Sequence, residues 1–312
     1  MAKKQSTIQS LMFGMAVGES MTQLTTSQKD NLLKAPSHFN DILSWGSQTS
    51  LALTTIASLS RGYQLADVMN HFQNWYKKRQ FAPEQTLQRV DEVTKQALEN
   101  YNKNRDTLAS GILEDTADSE NILVRMLPVA LYLHHEYGVS FINDEVAMLT
   151  LHRIAGLTHN DEGALVSVGM LSLIVSQLLD GQVIRDAVEN GLAFGFEYYS
   201  RHKVFEAELS AFEELNLPDF ANIPVNHIKL NGRSANTLEA IIWSLLNSNN
   251  YTQAIENAFL HGHANSIVPT VVSAIAAVVY REDLVLQASQ HLVARKLIVS
   301  VTNQAERLGR FN

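Results

Sequence analysis

Apolar residues recur with a helical period along most of the chain. Between 267 and 280, Ile267, Val271, Ile275 and Val279 stand at every fourth position, which is the spacing of one helix face. The same period predicts helices over 50–59, 64–79, 84–102, 120–136, 141–155, 162–180, 182–199, 236–248, 250–260 and 284–308. The pattern therefore indicates a protein built mainly from α-helices.

Strand patterns are scarce. The best candidate for an extended piece is the stretch VNHIKLNGRS over 225–234. No Gly-, Ser- or Pro-rich linker divides the chain, and we find no internal repeat. The sequence predicts an all-α fold, a compact helical bundle formed as a single domain over 1–312.

Composition narrows the classes of function. The chain has 312 residues, of which 46% are hydrophobic, and a formal net charge of -8, which argues against a nucleic-acid partner. It contains no Cys, so disulfides, thiolate catalysis and Cys-ligated zinc are excluded. The longest apolar run, ALVSVGMLSLIVSQLL, is shorter than a membrane span and includes Ser and Gln. We expect a cytoplasmic protein with no membrane partner.

Two helix starts carry clusters of small polar residues. One is SWGSQTSLAL over 44–53 and the other is HGHANS over 261–266. Unpaired N–H groups and the positive end of the helix dipole make such a start suitable for a ligand. Side-chain capping of the same N–H groups is the more common role. Both clusters are expected to face one cleft.

The histidines carry no complete metal motif. His261 and His263 are two positions apart, so they share a face only in an extended backbone. Zinc would need at least a third protein ligand, and the spacing of the other candidates nominates none. The plain interpretation is a pair of loop histidines.

The order of several short motifs resembles the ADP-ribosylglycohydrolase family from about residue 8 to 282. The segments are LMFGMAVGES, WGSQTSLAL, VRMLPVAL, LTHNDEGALVSVGML and NTLEAIIWSLL, followed by the stretch from Asn247 to Tyr280. Residues that match the family pattern are Gly14, Gly18, Trp45, Thr49, Arg125, Pro128, Thr158, His159, Thr237, Leu238 and Trp243. The resemblance implies the all-α fold of that family.

Members of the family hold two magnesium ions with two pairs of aspartates. At those four positions this chain has Ser47, Gln48, His263 and Asn265. A Ser, Ser266, replaces the Thr that follows the second pair, and Glu19 replaces the aspartate of the first motif. Magnesium prefers anionic oxygen in near-octahedral geometry. We therefore expect no metal ligands and no cofactor at this site.

The resemblance with these substitutions implies a protein that binds ADP-ribose, a nucleotide or a protein partner without magnesium-dependent hydrolysis. An active hydrolase that cleaves ADP-ribose from modified protein, or a related glycosidic substrate, with altered metal use is the alternative. A structural or regulatory subunit with a vestigial cleft is a third hypothesis. The candidate catalytic residues are Glu19, His159 and His263. The predicted cleft comprises Glu19, Ser47, Gln48, Thr49, His261, His263, Asn265 and Ser266.

Overall fold

A computed structural model describes residues 5–83, 89–114, 119–228, 230–261 and 267–311. Within these ranges the α-helices are α1 (Thr7–Met21), α2 (Thr26–Lys34), α3 (Ser47–Leu59), α4 (Leu65–Lys78), α5 (Glu92–Asn104), α6 (Ile122–Tyr137), α7 (Glu145–Ala155), α8 (Glu162–Leu179), α9 (Ile184–Ser200), α10 (Ser234–Leu246), α11 (Tyr251–Leu260), α12 (Val268–Tyr280), α13 (Asp283–Ala288) and α14 (Arg295–Leu308).

The all-α prediction is confirmed. In the ranges that the structure describes, extended pairing is limited to two isolated parallel bridges, Leu43 with Leu292 and Ile112 with His159. The long connection between α9 and α10 contains 3-10 turns, the longest being Glu206–Asn216. One large cluster of buried apolar side chains runs through the helices and forms the core.

Helices α1 and α12 pack unusually close together because two glycines face the partner backbone. A Cβ atom on Gly14 would lie 2.5 Å from the carbonyl oxygen of Ser273, and one on Gly18 would lie 2.6 Å from that of Pro269. Ser273 Oγ donates a hydrogen bond to the Gly14 carbonyl across this contact. The two glycines of the first motif therefore serve close helix packing, which only a residue without Cβ allows.

Helix α8 lies at the centre of the fold, against α6, α9 and α10. It is long and apolar enough to cross a membrane, but 78% of its apolar window is buried inside the protein. Most of its side chains are buried in the core, as is typical of the central helix of a helical bundle.

The predicted helix over 284–308 is wrong as one element. The chain forms α13, a 3-10 turn at Ser289–His291, and then α14. Leu43 N donates to the His291 carbonyl at 2.9 Å, and Val293 N donates to the Leu43 carbonyl at 2.9 Å. Because the backbone at 291–293 pairs with Leu43, it is not available for helical hydrogen bonds.

Other boundaries also moved. Helix α5 begins at Glu92, where the Asp91 side chain accepts from Thr94 N at 2.7 Å, while 84–88 of the predicted stretch lie outside the described residues. Within the stretch 225–234, Val225–His227 form a 3-10 turn and Ser234 begins α10, while Lys229 lies outside the described residues. Helix α2 was missed because it is short and polar, with Leu32 as its buried residue.

Candidate functional site

The start of α3 is capped by a carboxylate from another helix. Gly46, at the N-cap position, has no side chain to offer. Glu19 of α1 supplies the acceptors instead, because Gln48 N donates to its Oε1 at 3.1 Å and Thr49 N donates to its Oε2 at 3.0 Å. A negative charge at a helix N-terminus is also favoured by the helix dipole. Both oxygens of the candidate catalytic residue Glu19 are thus engaged by the backbone of α3.

Ser47 and Gln48, at two positions where the resemblance implies aspartates, both form hydrogen bonds within the protein. Ser47 is buried, and its Oγ donates to the Arg89 carbonyl at 2.6 Å. Gln48 Nε2 donates to Asn121 Oδ1. Gln48 Oε1 and the fully buried Thr49 Oγ1 have no hydrogen-bond partner within the described chain. These two buried oxygens are therefore unsatisfied by the part of the chain that the structure describes.

A turn at Ser119–Asn121 links the start of α3 to the start of α10. Asn121 accepts from Gln48, and the neighbouring Glu120 Oε2 accepts from Thr237 Oγ1 at 2.7 Å. Ser234 N donates to Ser119 Oγ at 3.1 Å. Sequence reasoning missed Asn121 and Glu120, because nothing in their local pattern distinguishes them from a polar loop before a helix.

The matched residues Arg125, Thr158 and His159 form a second polar group, inside the core. Arg125 is 1% exposed, and its Nη2 donates to the Ala155 carbonyl at 3.2 Å and to Thr158 Oγ1. Burial lowers the pKa of Arg125 to about 9, which the charge of Asp91 partly opposes. Thr158 Oγ1 hydrogen-bonds His159 Nδ1 at 2.7 Å. His159 is fully buried, so this candidate base lies in the core.

His261 packs as a core histidine at the end of α11. Its ring stands edge-on to Trp243 with centroids 5.4 Å apart, and its Nε2 lies 3.3 Å from Ser244 Oγ. Burial lowers the pKa of His261 to about 4, so the ring is neutral at physiological pH. These contacts account for His261 through packing against α10.

The second predicted polar cluster lies largely outside the described residues. This applies to His263, Asn265 and Ser266, and to Gly262 beside them. Of the predicted cleft residues, Glu19, Ser47, Gln48 and Thr49 lie together in the described part of the chain, with Asn121 beside Gln48. Within the described ranges, His, Asp and Glu side chains form no group of three or more that could hold a metal ion.

Comparisons with known proteins agree with this architecture. The family model described as ADP-ribosylglycohydrolase matches residues 1–308. A solved structure titled "ADP-ribosylglycohydrolase-related protein complex" is similar with a TM-score of 0.67 and 18% sequence identity, covering 99% of this chain and 99% of that one. At that identity the likeness establishes the fold. No curated protein matches this chain.

Proposed function

Because the chain belongs to the ADP-ribosylglycohydrolase family, we propose that it is a non-hydrolytic member that binds ADP-ribose or a related nucleotide without cleaving it. The cleft at the start of α3 is the proposed binding site. Among the described residues, the buried oxygens Gln48 Oε1 and Thr49 Oγ1 have no hydrogen-bond partner, and they suit a ligand with hydroxyl or amine donors.

The observation that carries the proposal is the engagement of Glu19. Its two oxygens accept the N–H groups of Gln48 and Thr49, so this carboxylate already has a structural task. Ser47 donates to the Arg89 carbonyl and therefore presents a committed hydroxyl. The magnesium pair that the family implies does not fit this donor set, because magnesium needs anionic oxygens free to coordinate.

Electrostatics support the same conclusion. The substitutions replace four carboxylates by neutral side chains at Ser47, Gln48, His263 and Asn265. Two dications close together repel each other strongly unless anionic ligands compensate the charge. Without those ligands, no group at the described side of the cleft orients a metal-bound water for hydrolysis.

Calorimetric titration with ADP-ribose, with and without magnesium, tests the proposal. We expect binding that does not depend on the ion, and a weaker affinity for Gln48→Ala, since the variant removes a buried acceptor. Gln290→Ala is the matched control, because that exposed glutamine lies outside the proposed site and donates to the Leu286 carbonyl, four residues earlier. Binding that requires magnesium would contradict the proposal.

A release assay with ADP-ribosylated protein separates binding from hydrolysis. We expect no release above background with or without magnesium. Release at an enzymatic rate, together with stoichiometric zinc, manganese or nickel in untagged protein, would replace the proposal by the hydrolase with altered metal use. If the protein neither binds ADP-ribose nor releases it from modified protein, the third hypothesis is favoured: a structural or regulatory subunit whose cleft is vestigial.

We also propose that the protein is cytoplasmic and has no nucleic-acid or membrane partner. The net charge of -8 disfavours nucleic acid as a partner, and burial of α8 in the core favours an aqueous compartment, which we take to be the cytoplasm. A protein partner remains compatible with a binding role. Fractionation of the producing cells checks the compartment, and recovery in the membrane fraction would refute it.

A further inference from the structure

Helix α7 presents an exposed face centred on Leu149. Leu149 is 47% exposed and Val146 is 61% exposed, although both side chains are apolar. Glu145 and Arg153 are exposed beside them, and His152 is half-buried at the edge. The other side of the helix packs against α6 and α8. Neighbouring apolar side chains that face solvent and are bordered by charges are typical of a protein contact surface.

The positions of this face are evenly spaced about Leu149. Glu145 lies four residues before Leu149 and Arg153 lies four residues after it. Val146 and His152 lie three residues before and after it. Residues three and four apart are neighbours on one side of a helix. The five side chains therefore form a strip with a negative charge at one end, a positive charge at the other and a leucine in the middle.

Such a strip is complementary to a second copy of itself. In a two-fold symmetric dimer the same patch of each chain forms the contact, and a helix that crosses the axis packs against its copy in the antiparallel direction. Leu149 then meets Leu149 of the other copy at the axis. Glu145 of each copy lies level with Arg153 of the other, because both are four positions from Leu149. A parallel arrangement would instead bring like charges together, which is unfavourable.

Two tyrosines extend this face beyond one helix. Burial and the charge of Asp144, the residue that caps α7, raise the pKa of Tyr137, which places Tyr137 near the acidic end of the strip. Burial raises the pKa of Tyr63, and Arg153 opposes this shift through its charge and a hydrogen bond, which places Tyr63 at the basic end. Tyrosine is enriched in protein interfaces because its ring is apolar and its hydroxyl can bind.

We propose that the face of α7 around Leu149 is a homodimer contact, in which two copies of the chain pack their α7 helices antiparallel about a two-fold axis. This goes beyond the proposed function and does not depend on it. Helix α7 has 11 residues and is therefore about 16 Å long. A patch of that length is smaller than a standard interface of about 800 Å² per partner, so we expect a weak dimer with a dissociation constant above about 1 µM.

Sedimentation equilibrium of the full chain, from micromolar to near-millimolar protein, tests the proposal. We expect the average mass to rise with concentration from that of one chain toward that of two. Glu145→Arg alone and Arg153→Glu alone should each weaken the association by about tenfold or more, because each variant turns both ion pairs into contacts between like charges.

An equal mixture of the two single variants gives the sharpest test. One copy then carries arginine at both ends of the strip and the other carries glutamate at both ends, so the two contacts of the mixed dimer again join opposite charges. We expect the mixture to associate about as strongly as the unmodified protein. The double variant Glu145→Arg with Arg153→Glu should also recover association, because it exchanges the two charges within one chain.

Leu149→Ser should weaken the association as well, since it removes the apolar contact at the axis. Leu286→Ser is the matched control, because Leu286 is 38% exposed on α13, which packs against α1. It should associate like the unmodified protein. Circular dichroism checks that each variant keeps its helices. If a charge variant does not fold, the comparison of Leu149→Ser with Leu286→Ser decides, and equal association of these two would overturn the proposal.

An average mass that stays at that of one chain at every concentration would also overturn it. The same holds if Glu145→Arg associates as strongly as the unmodified protein, or if the mixture associates no more strongly than the separate variants. Either result would mean that α7 does not form the contact.

Discussion

Helices α3 and α7 are both capped at the N-terminus by a carboxylate, but the two carboxylates come from different parts of the chain. At α3, the two oxygens of Glu19 accept from Gln48 N and Thr49 N at 3.1 and 3.0 Å. At α7, Asp144 Oδ1 accepts from Val146 N and Ala147 N at 2.8 and 3.0 Å. Each carboxylate satisfies two N–H groups that a helix leaves unpaired. Asp144 does so from the adjacent residue, and Glu19 does so from a different helix.

The two caps therefore depend on different interactions. The cap of α7 forms whenever the local chain turns, because donor and acceptor are two and three residues apart. The cap of α3 requires α1 and α3 to be packed together. Because these N–H groups already donate to Glu19, they are not available to the anionic ligand that a helix start would otherwise bind. The cap is therefore stabilised by the packing of α1 on α3, and a ligand at this site would have to bind through groups other than these two N–H donors.

The largest expected effect is that of Glu19→Ala. Two charge-assisted hydrogen bonds disappear and two N–H groups at a helix start lose their acceptor, so we expect a loss of about 2–3 kcal/mol in the free energy of unfolding. Denaturant unfolding measures it. Glu145→Ala, an exposed carboxylate in the first turn of α7, is the control and should change stability by less than about 0.5 kcal/mol. A loss below about 1 kcal/mol for Glu19→Ala would show that water replaces the cap.

Glu19→Gln should have the second largest effect. The amide keeps the length of the side chain but offers only one oxygen, and its NH₂ group faces the other N–H donor. We expect about 1–2 kcal/mol of destabilisation and faster amide exchange at Gln48 or Thr49. Exchange measured by NMR checks which of the two amides is released. Unchanged exchange at both would mean that the carboxylate is not their acceptor in solution.

Asp144→Ala should cost about 1 kcal/mol, the usual penalty for removing a local N-cap. The reason for the smaller value is that the first turn of α7 lies nearer solvent, where water can satisfy Val146 N. Thermal unfolding checks it beside Glu19→Ala. A cost for Asp144→Ala equal to or larger than that for Glu19→Ala would reverse the comparison between the two caps.

Asp144→Asn should have the smallest effect, a few tenths of a kcal/mol, because Asn and Asp are comparable N-cap residues. The pair Asp144→Asn and Glu19→Gln removes one charge at each helix start and retains an amide oxygen. Unfolding of both variants at low and high salt measures the part that belongs to charge. If Asp144→Asn costs as much as Asp144→Ala, charge rather than hydrogen bonding dominates that cap.

The sequence by itself determined the helices and some of their ends. The spacing of Ile267, Val271 and Ile275 predicts a helix, and the structure contains it as α12. The prediction succeeds because the period of apolar residues is a local property. The N-cap at Asn250 is a local feature too, because its side chain accepts from Gln253 N at 2.8 Å, three residues along the chain. At α7 the cap is Asp144, directly before the helix and directly after the 3-10 turn that ends at Asn143.

Contacts between residues that are distant in the chain could not be predicted from the sequence and are seen only in the tertiary structure. The break before α14 exists because Leu43 pairs with the backbone at 291–293. The cap by Glu19, the bond between Gln48 and Asn121, and the lowered pKa of Arg125 each depend on a neighbour from another element or on burial by it. Periodicity and capping preferences carry information over about one helical turn. The contacts that shape the candidate site join residues tens of positions apart, so the packed fold had to supply them.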